Sequence, residues 1–386
     1  MIKIGLEKRV AMKFLHISDL HIGKRVNGFS MIEDQKYILK QILEIAEKKQ
    51  VDGVLIAGDI YDKPVPSAEA VQVLDQFLTE LAEQKRMVFL ISGNHDSAER
   101  IAFGAQLMKG KNIYLAPVYD GKITKVLLTD SYGEIFIYLM PFIKPAVVRH
   151  VLEGELPETY HDAVKLVIEQ MEIDHKKRNI LVAHQFVTGA GRCDSEEVAV
   201  GGLDNVDAEI LEEFDYVALG HIHSPQSIKR ETIRYCGTPL KYSFSEAKQE
   251  KSVTIIECKE KGQVEIETVL LYPLRDMRKI KGTYLEITDR SFYQNKNAED
   301  YVQITLTDEE DVLDGLQKLR VFYPNLMQLV YDNSRTKQSQ IIEVAQDMEI
   351  KSELELFEEF YKLQNNQAMS EKQVDYVRKL IEEIKG

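Results

Sequence analysis

Short apolar runs, each stopped by a small residue and then by polar side chains, recur along the first two thirds of this chain. Met87–Ile91 is one, followed by Ser92, Gly93 and the triplet Asn94-His95-Asp96. A run of that length reads as a buried strand, and Gly93 permits a sharp turn that sets the triplet at the strand's carboxyl end, where open α/β sheets place their ligands. Residues 13–18 run in the same way into Asp19-Leu20-His21, and 51–57 into Gly58-Asp59. Residues 179–183 run into His184, and 214–219 into Gly220-His221-Ile222-His223. Between these strands the spacing turns helical: Ile38, Leu39, Ile42, Leu43 and Ala46 within 35–47, a stripe of Ala70, Val71, Leu74, Phe77, Leu78 and Leu81 after Ser67, and a further helix over 162–171. The stripe reads as core packing or as a dimer contact. A short helical stretch through Phe103 and Leu107 follows the triplet.

Alternating segments at 123–128 and 135–140 read as antiparallel strands, and segments around Ile228, Ile233, 253–256 and 264–270 complete a second sheet. The pattern predicts an α/β domain over 12–273, a two-sheet sandwich flanked by helices. Residues 274–335 form a small α+β cap, with strands at 284–287, 302–306 and 326–330, a helix between the last two, and no histidine. Residues 336–386 turn charged and helical, with one stripe at Leu354, Phe357, Phe360 and Tyr361 and another at Val374, Val377, Leu380, Ile381 and Ile384. Ser370 and Gln373 make a capping box. This terminal hairpin packs on its own domain or docks a partner. Residues 1–11 carry no assigned role.

Composition changes the picture in three places. The 386 residues are 44% hydrophobic, enough for a sizeable core. The net charge of −14 lacks the basic footprint usual in nucleic-acid binders, although metal ions would bring their own positive charge. Cys193, Cys236 and Cys258 are odd in number with no Cys-x-x-Cys pair, which fits a reducing cytoplasm, and no apolar run is long enough to span a bilayer.

The polar stations carry the chemistry. Asp19 and His21, and again His221 and His223, stand two residues apart, so in extended chain each pair faces one side. Five of the nine histidines fall in these stations, with no thiol among them. Carboxylate, imidazole and amide oxygen suit manganese, iron or zinc in five- or six-coordinate sites better than a structural zinc. Asp59 is the candidate bridge, because a carboxylate has two oxygens to share. Asp62 reads as a turn cap. Two metals about 3.5–4 Å apart would clamp an in-line displacement at phosphorus. His95, beside Asn94 and before Asp96, is the candidate catalytic residue that stabilises or protonates the leaving oxygen, with Asp96 orienting it.

Asp-x-His, Gly-Asp-x-x-Asp, Gly-Asn-His-Asp, a lone His after a strand and Gly-His-x-His resemble, in that order, the calcineurin-like metallophosphoesterases. Residues 15–24, 183–186 and 215–226, with Gly237-Thr238-Pro239-Leu240 and Tyr242-Ser243-Phe244, resemble the SbcD-type nuclease subunits of that superfamily. The resemblance implies a metallophosphoesterase sandwich with two manganese ions. Asp19, His21, Asp59 and His223 would hold one, Asp59, Asn94, His184 and His221 the other, with His95 outside both shells. It also implies exonuclease action on double-stranded DNA ends and endonuclease action on hairpins, in DNA repair, recombination and replication. It further implies an SbcC-type coiled-coil ATPase docked by the terminal hairpin, and a homodimer through helices of the nuclease domain. This chain has no phosphate-binding Gly-x-x-x-x-Gly-Lys-[Ser/Thr] loop of its own. Lys24, Arg25, Lys63 and Arg100 are candidates to guide DNA. A small-molecule phosphodiesterase or nucleotidase with the same metals is the alternative.

Overall fold

Strand periodicity assigns each buried side chain to one of two layers. The computed structural model describes residues 2–3, 10–103, 105, 108, 110–152, 157–196, 204–294, 296–333, 354, 357–358, 361 and 369–385. The chain divides into two compact units, Met1–Met277 and Arg278–Gly386. The first unit carries β1 (Met12–Ile17), β2 (Gly53–Ala57), β3 (Met87–Ile91), β4 (Ile113–Ala116), β5 (Thr124–Asp130), β6 (Gly133–Met140), β7 (Arg178–His184), β8 (Tyr216–Gly220), β9 (Gln226–Ile228), β10 (Arg230–Tyr235), β11 (Ser252–Cys258) and β12 (Val264–Leu270). One six-stranded sheet has the order β12-β11-β1-β2-β3-β4. A seven-stranded sheet begins with the short strand Ile2–Lys3 and continues β5-β6-β7-β8-β10-β9.

Alternation along each strand packs the sheets face to face. Ile135, Ile137 and Leu139 of β6, Ile180 and Val182 of β7, and Tyr216 and Ala218 of β8 join Phe14, Leu55 and Phe89 of the other sheet in one core. The intervening residues Phe136, Tyr138, Leu181 and Val217 point to the opposite face, onto Val148 of α3 (Pro145–Val151) and Val164, Val167 and Ile168 of α4 (Tyr160–Glu169). Thr159 starts α4 through a capping box with Asp162. On the six-stranded side, α1 (Ile32–Lys48) buries Ile38, Ile42 and Ala46, and α2 (Ala68–Glu83) packs against β3, capped by the Ser67 hydroxyl on the Ala70 N–H at 3.2 Å.

Because β1 to β4 pair in parallel, as do β6, β7, β8 and β10, the turns that follow them leave from the carboxyl edge of each sheet. Arg178, at the start of β7, helps tie the two layers together. Its buried guanidinium donates to Asp130 Oδ2 (3.0 Å) and to the Cys258 and Gly133 carbonyls (3.0 and 2.8 Å).

Several expectations change here. Segments 253–256 and 264–270 belong to the first sheet, because β11 pairs antiparallel with β1. The expected strand at 284–287 is the helix Tyr284–Thr288: the Thr283 hydroxyl accepts the Glu286 N–H and Glu286 accepts the Thr283 N–H, a capping box that overrides the β-branched and aromatic composition. In the α2 stripe Val71 is 45% exposed and Val73 is buried in its stead. Ala70, Phe77 and Leu81 are buried within the chain's own core, so these positions of the stripe are packing, while Val71 faces outward.

The second unit contains the three-stranded sheet Met277–Gly282, Tyr301–Leu306 and Leu326–Tyr331, with a core of Ile280, Ile287, Val302, Leu319 and Tyr323. The helix Glu371–Lys385 follows Ser370, whose hydroxyl contacts Gln373 Oε1 at 2.9 Å. Leu107, Phe360, residues 336–353 and part of the 189–202 loop lie outside the described residues.

Candidate metal centre

Three turns leave the carboxyl edge of the six-stranded sheet and two leave that of the seven-stranded sheet, and their polar ends meet. The backbone bends sharply to bring them there. Asp19, His21, Asp59 and His221 all have left-handed φ values of 52°, 44°, 50° and 101°, a region that non-glycine residues rarely occupy and that clusters at functional sites. The Asp19 N–H donates to the Gly58 carbonyl and the His21 N–H to that of Asp59, both at 3.0 Å. Gly220 lets the sheets approach: a Cβ there would lie 1.9 Å from the Ala57 oxygen and 2.8 Å from His184 Nδ1. The His221 N–H from one sheet donates to the Asp19 carboxylate of the other at 3.0 and 3.2 Å.

The structure brings all seven expected ligands together. Three groups have their candidate donor atoms within 4.8 Å of one another: Asp19, His21 and His223; Asp19, Asp59 and His184; and His21, Asp59 and His95. Asn94 Oδ1 lies 3.0 Å from His184 Nε2 and 2.9 Å from His221 Nδ1. Asp59, the candidate bridge, lies between His21 and His184. Its Oδ1 accepts the His95 N–H at 3.0 Å, while Oδ2 sits 3.7 Å from His21 Nε2 and 3.4 Å from His184 Nε2.

Hydrogen bonding identifies what these atoms present. His184 Nδ1 lies 2.8 Å from the Ala57 carbonyl and can only donate to it, so in the neutral ring Nε2 turns a lone pair toward Asp59 and Asn94. His21 Nε2 and His223 Nε2 face each other at 3.2 Å, and His21 Nδ1 is buried without a hydrogen-bond partner among the described residues. Converging lone pairs on buried nitrogens and carboxylate oxygens fit a cation between them.

Electrostatics points the same way. Burial pushes the Asp19 carboxyl up to about 8, against the pull of His184. Burial acts similarly on Asp59, but His184 and His21 outweigh it and hold this carboxyl well below its usual range. Burial opposes protonation of His184, yet Asp59 and Asp19 raise it to about 9. Burial lowers His21 and His223, and takes His221 to about 3. The pocket's negative charge thus draws positive charge inward.

His95 differs from its neighbours. Its side chain is 15% exposed, against 1% for His21 and 0% for His184. Its Nδ1 lies 3.3 Å from the Asp62 carbonyl and its Nε2 4.0 Å from Asp59 Oδ2. Asp96 does not orient it, contrary to expectation. The Asp96 carboxylate accepts the N–H groups of Ile60 (3.1 Å), Tyr61 (3.0 Å) and Gly93 (2.9 Å), which clamps the Asp59 turn to the Asn94 turn. Asp62 pairs with Lys24 at 2.7 Å and does not cap the next turn by its side chain, so the charge of Lys24 is already matched.

Sequence reasoning missed the residues around His223. Ser195, Glu196, Glu246 and Lys251 surround it, and Arg192 covers Phe186 and pairs with Asp204 at 3.2 Å. The only signal was the polar, glycine-rich stretch beginning at Gly189.

These strand-end turns gather the carboxylates and imidazoles of a metal-dependent hydrolase. The calcineurin-like phosphoesterase model matches residues 12–225, and the chain belongs to that family of metal-dependent phosphoester hydrolases. Within it the chain is an SbcD-type member. It is 35% identical over 378 residues, 96% of this chain and 98% of the relative, to the SbcD subunit of the SbcCD nuclease of Staphylococcus epidermidis. Residues 273–365 match the SbcD C-terminal model, described as a type 5 capsule protein repressor C-terminal domain. Among solved structures, a dimetal phosphatase from Danio rerio superposes with a TM-score of 0.37 at 11% identity, covering 68% of this chain and 99% of that one. A protein of Thermus thermophilus gives 0.37 at 12%, covering 67% and 99%. Among the described residues no helix is long and apolar enough to cross a membrane.

Proposed function

We propose that the chain is the nuclease subunit of an SbcCD-type complex, cleaving double-stranded DNA ends and hairpins in the cytoplasm with two manganese ions. The observation that carries this is the convergence of two carboxylates, four imidazoles and one amide from five strand-end turns, with His95 the one histidine among them that is only half-buried. Asp19, His21, Asp59 and His223 would hold one ion, and Asp59, Asn94, His184 and His221 the other. Two divalent ions there would polarise a phosphodiester and lower the pKa of water.

The chain's own residues supply the rest. Asp96 fixes the two turns that carry Asp59 and Asn94. The Ala57 carbonyl keeps His184 Nε2 directed inward. His95 donates Nδ1–H to the Asp62 carbonyl at 3.3 Å, which turns Nε2 into the pocket, where only the imidazolium form would give a proton to the leaving oxygen. Exposed Lys63 and Arg100 meet the DNA backbone, so binding should weaken steeply with salt. The 274–335 region faces DNA, and the terminal helices dock an SbcC-type coiled-coil ATPase that supplies ATP hydrolysis. A homodimer through α1 and α2 would use outward residues such as Tyr37 and Val71.

The test is end-labelled duplex and hairpin DNA incubated with manganese, with chelator, and with and without the ATPase partner. Manganese-dependent cleavage stimulated by the partner is expected. Cleavage of a small phosphodiester as fast as DNA, with no gain from the partner, would instead identify a small-molecule phosphodiesterase.

A further inference from the structure

His223 stands at the end of a hydrogen-bond chain that no sequence motif marks. Its Nδ1 lies 2.7 Å from Ser195 Oγ, and that hydroxyl lies 2.6 Å from Glu246 Oε1. Both residues at the far end are deeply buried: Glu246 is 0% exposed, and Lys251, at 4%, pairs with its other oxygen, Oε2, at 2.5 Å. A hydroxyl has one proton, and an ion-paired carboxylate has none to give. Ser195 therefore donates to Glu246 and must accept from His223 Nδ1–H. This fixes the tautomer of His223, leaving the lone pair on Nε2, the atom that faces His21 Nε2 at 3.2 Å.

The same side chains hold the backbone of His223. Lys251 Nζ donates to the His223 carbonyl at 2.9 Å, the Thr238 N–H donates to the same oxygen at 3.1 Å, and Glu196 Oε1 accepts the His223 N–H at 2.7 Å. Ring and backbone are thus aimed together. His184 instead relies on a main-chain carbonyl, which no substitution can remove. His223 relies on side chains.

We infer that Ser195 and Glu246 are positioning residues, a carboxylate–hydroxyl–imidazole relay that orients His223 and makes its Nε2 a better metal donor. The inference rests on the proposed reading of His223 as a ligand. A carboxylate reached through a hydroxyl raises imidazole basicity and locks ring rotation, and outer partners of this kind commonly change metal affinity about 10–100-fold.

The test is calorimetric titration of manganese into metal-stripped, full-length protein, with thermal unfolding of the stripped variants alongside. Ser195→Ala is expected to weaken one of two manganese sites about 10–100-fold, to leave the other unchanged and to leave the stripped melting temperature unchanged. Ser195→Thr, which keeps the hydroxyl, should restore the affinity. Full affinity in Ser195→Ala while His223→Ala loses a site would overturn the relay and leave the ligand reading standing. Retention of both sites in His223→Ala would remove the ligand reading and the relay with it. Equal losses in Ser195→Ala and Ser195→Thr, with lowered stripped melting temperatures, would reduce Ser195 to a loop-packing residue and overturn the proposal.

Discussion

Replacing Asp96 with Asn separates the two jobs that its position beside His95 suggests. The carboxylate takes three main-chain N–H groups: Ile60 and Gly93 on Oδ2, Tyr61 on Oδ1. An amide of the same shape offers one oxygen. If that oxygen keeps Ile60 and Gly93, an NH₂ group faces the Tyr61 N–H, donor against donor, and the remaining bonds lose their charge assistance. Hydrogen bonds to charged groups contribute about 1.5–3 kcal/mol each, and a stranded buried donor costs about 1–3 kcal/mol, so Asp96→Asn should cost about 2–4 kcal/mol. At roughly 2–4 °C per kcal/mol for a domain of this size, the metal-stripped protein should melt roughly 5–15 °C lower. The Asp59 and Asn94 turns should also loosen, weakening manganese binding in calorimetry. An Asp96→Asn protein that melts and binds manganese like wild type, yet cleaves poorly, would refute this and return Asp96 to the role of orienting His95.

The remaining predictions use other parts of the same frame. His95→Ala should bind manganese nearly normally but fail to cleave, while His184→Ala should lose both; calorimetry showing His95→Ala short of a metal would reverse that division. Gly220→Ala drives a methyl against the Ala57 oxygen and His184 Nδ1, and should cost about 1–3 kcal/mol of stability through overpacking together with metal affinity, read by thermal unfolding and titration. His16 is buried, its Nδ1 3.0 Å from the Tyr216 hydroxyl and its Nε2 3.2 Å from the Leu219 carbonyl, and burial lowers it from 6.5 to about 3. A depressed histidine leaves the unfolded chain holding more protons between these values, so stability is full above pH 6.5 and falls as pH drops toward 3. The slope is about 1.4 kcal/mol per pH unit for this one group. His16→Gln should flatten the curve of unfolding free energy against pH in that window, and an unchanged slope would show that His16 is protonated in the folded chain.

The candidate site was legible because each of its residues follows a buried run, and strand ends are among the strongest local signals a chain carries. Asp19, His21, Asp59, Asn94, His184, His221 and His223 could all be chosen on that ground. What stayed hidden depends on contacts remote in sequence. Nothing local says that Asp96 will meet the amides of Ile60 and Tyr61, more than thirty residues back, when His95 is its neighbour in the chain. Ser195 and Glu246 sit in a loop and a short turn, and they gain their meaning only when both reach His223. The partner of β11 could not be read because an alternating strand does not name its neighbour; in the fold it lies antiparallel beside β1, with Ile256 opposite Phe14, 242 residues away in sequence. The helix Tyr284–Thr288 is a different failure. Its Thr-x-x-Glu start is local, but the aromatic and β-branched residues that follow it look like a strand.

The division of ligands between the two sheets has a mechanical consequence. Asp19, His21, Asp59 and Asn94 hang from one layer and His184, His221 and His223 from the other, so a cation held among them would be a rivet across the seam of the sandwich. At a hundredfold excess over its dissociation constant, one such ion adds about 2.7 kcal/mol to the resistance to unfolding. Chelation should therefore loosen the carboxyl edge first, with faster amide exchange along that rim than at the far end, where Arg178 clasps the layers with no metal at all.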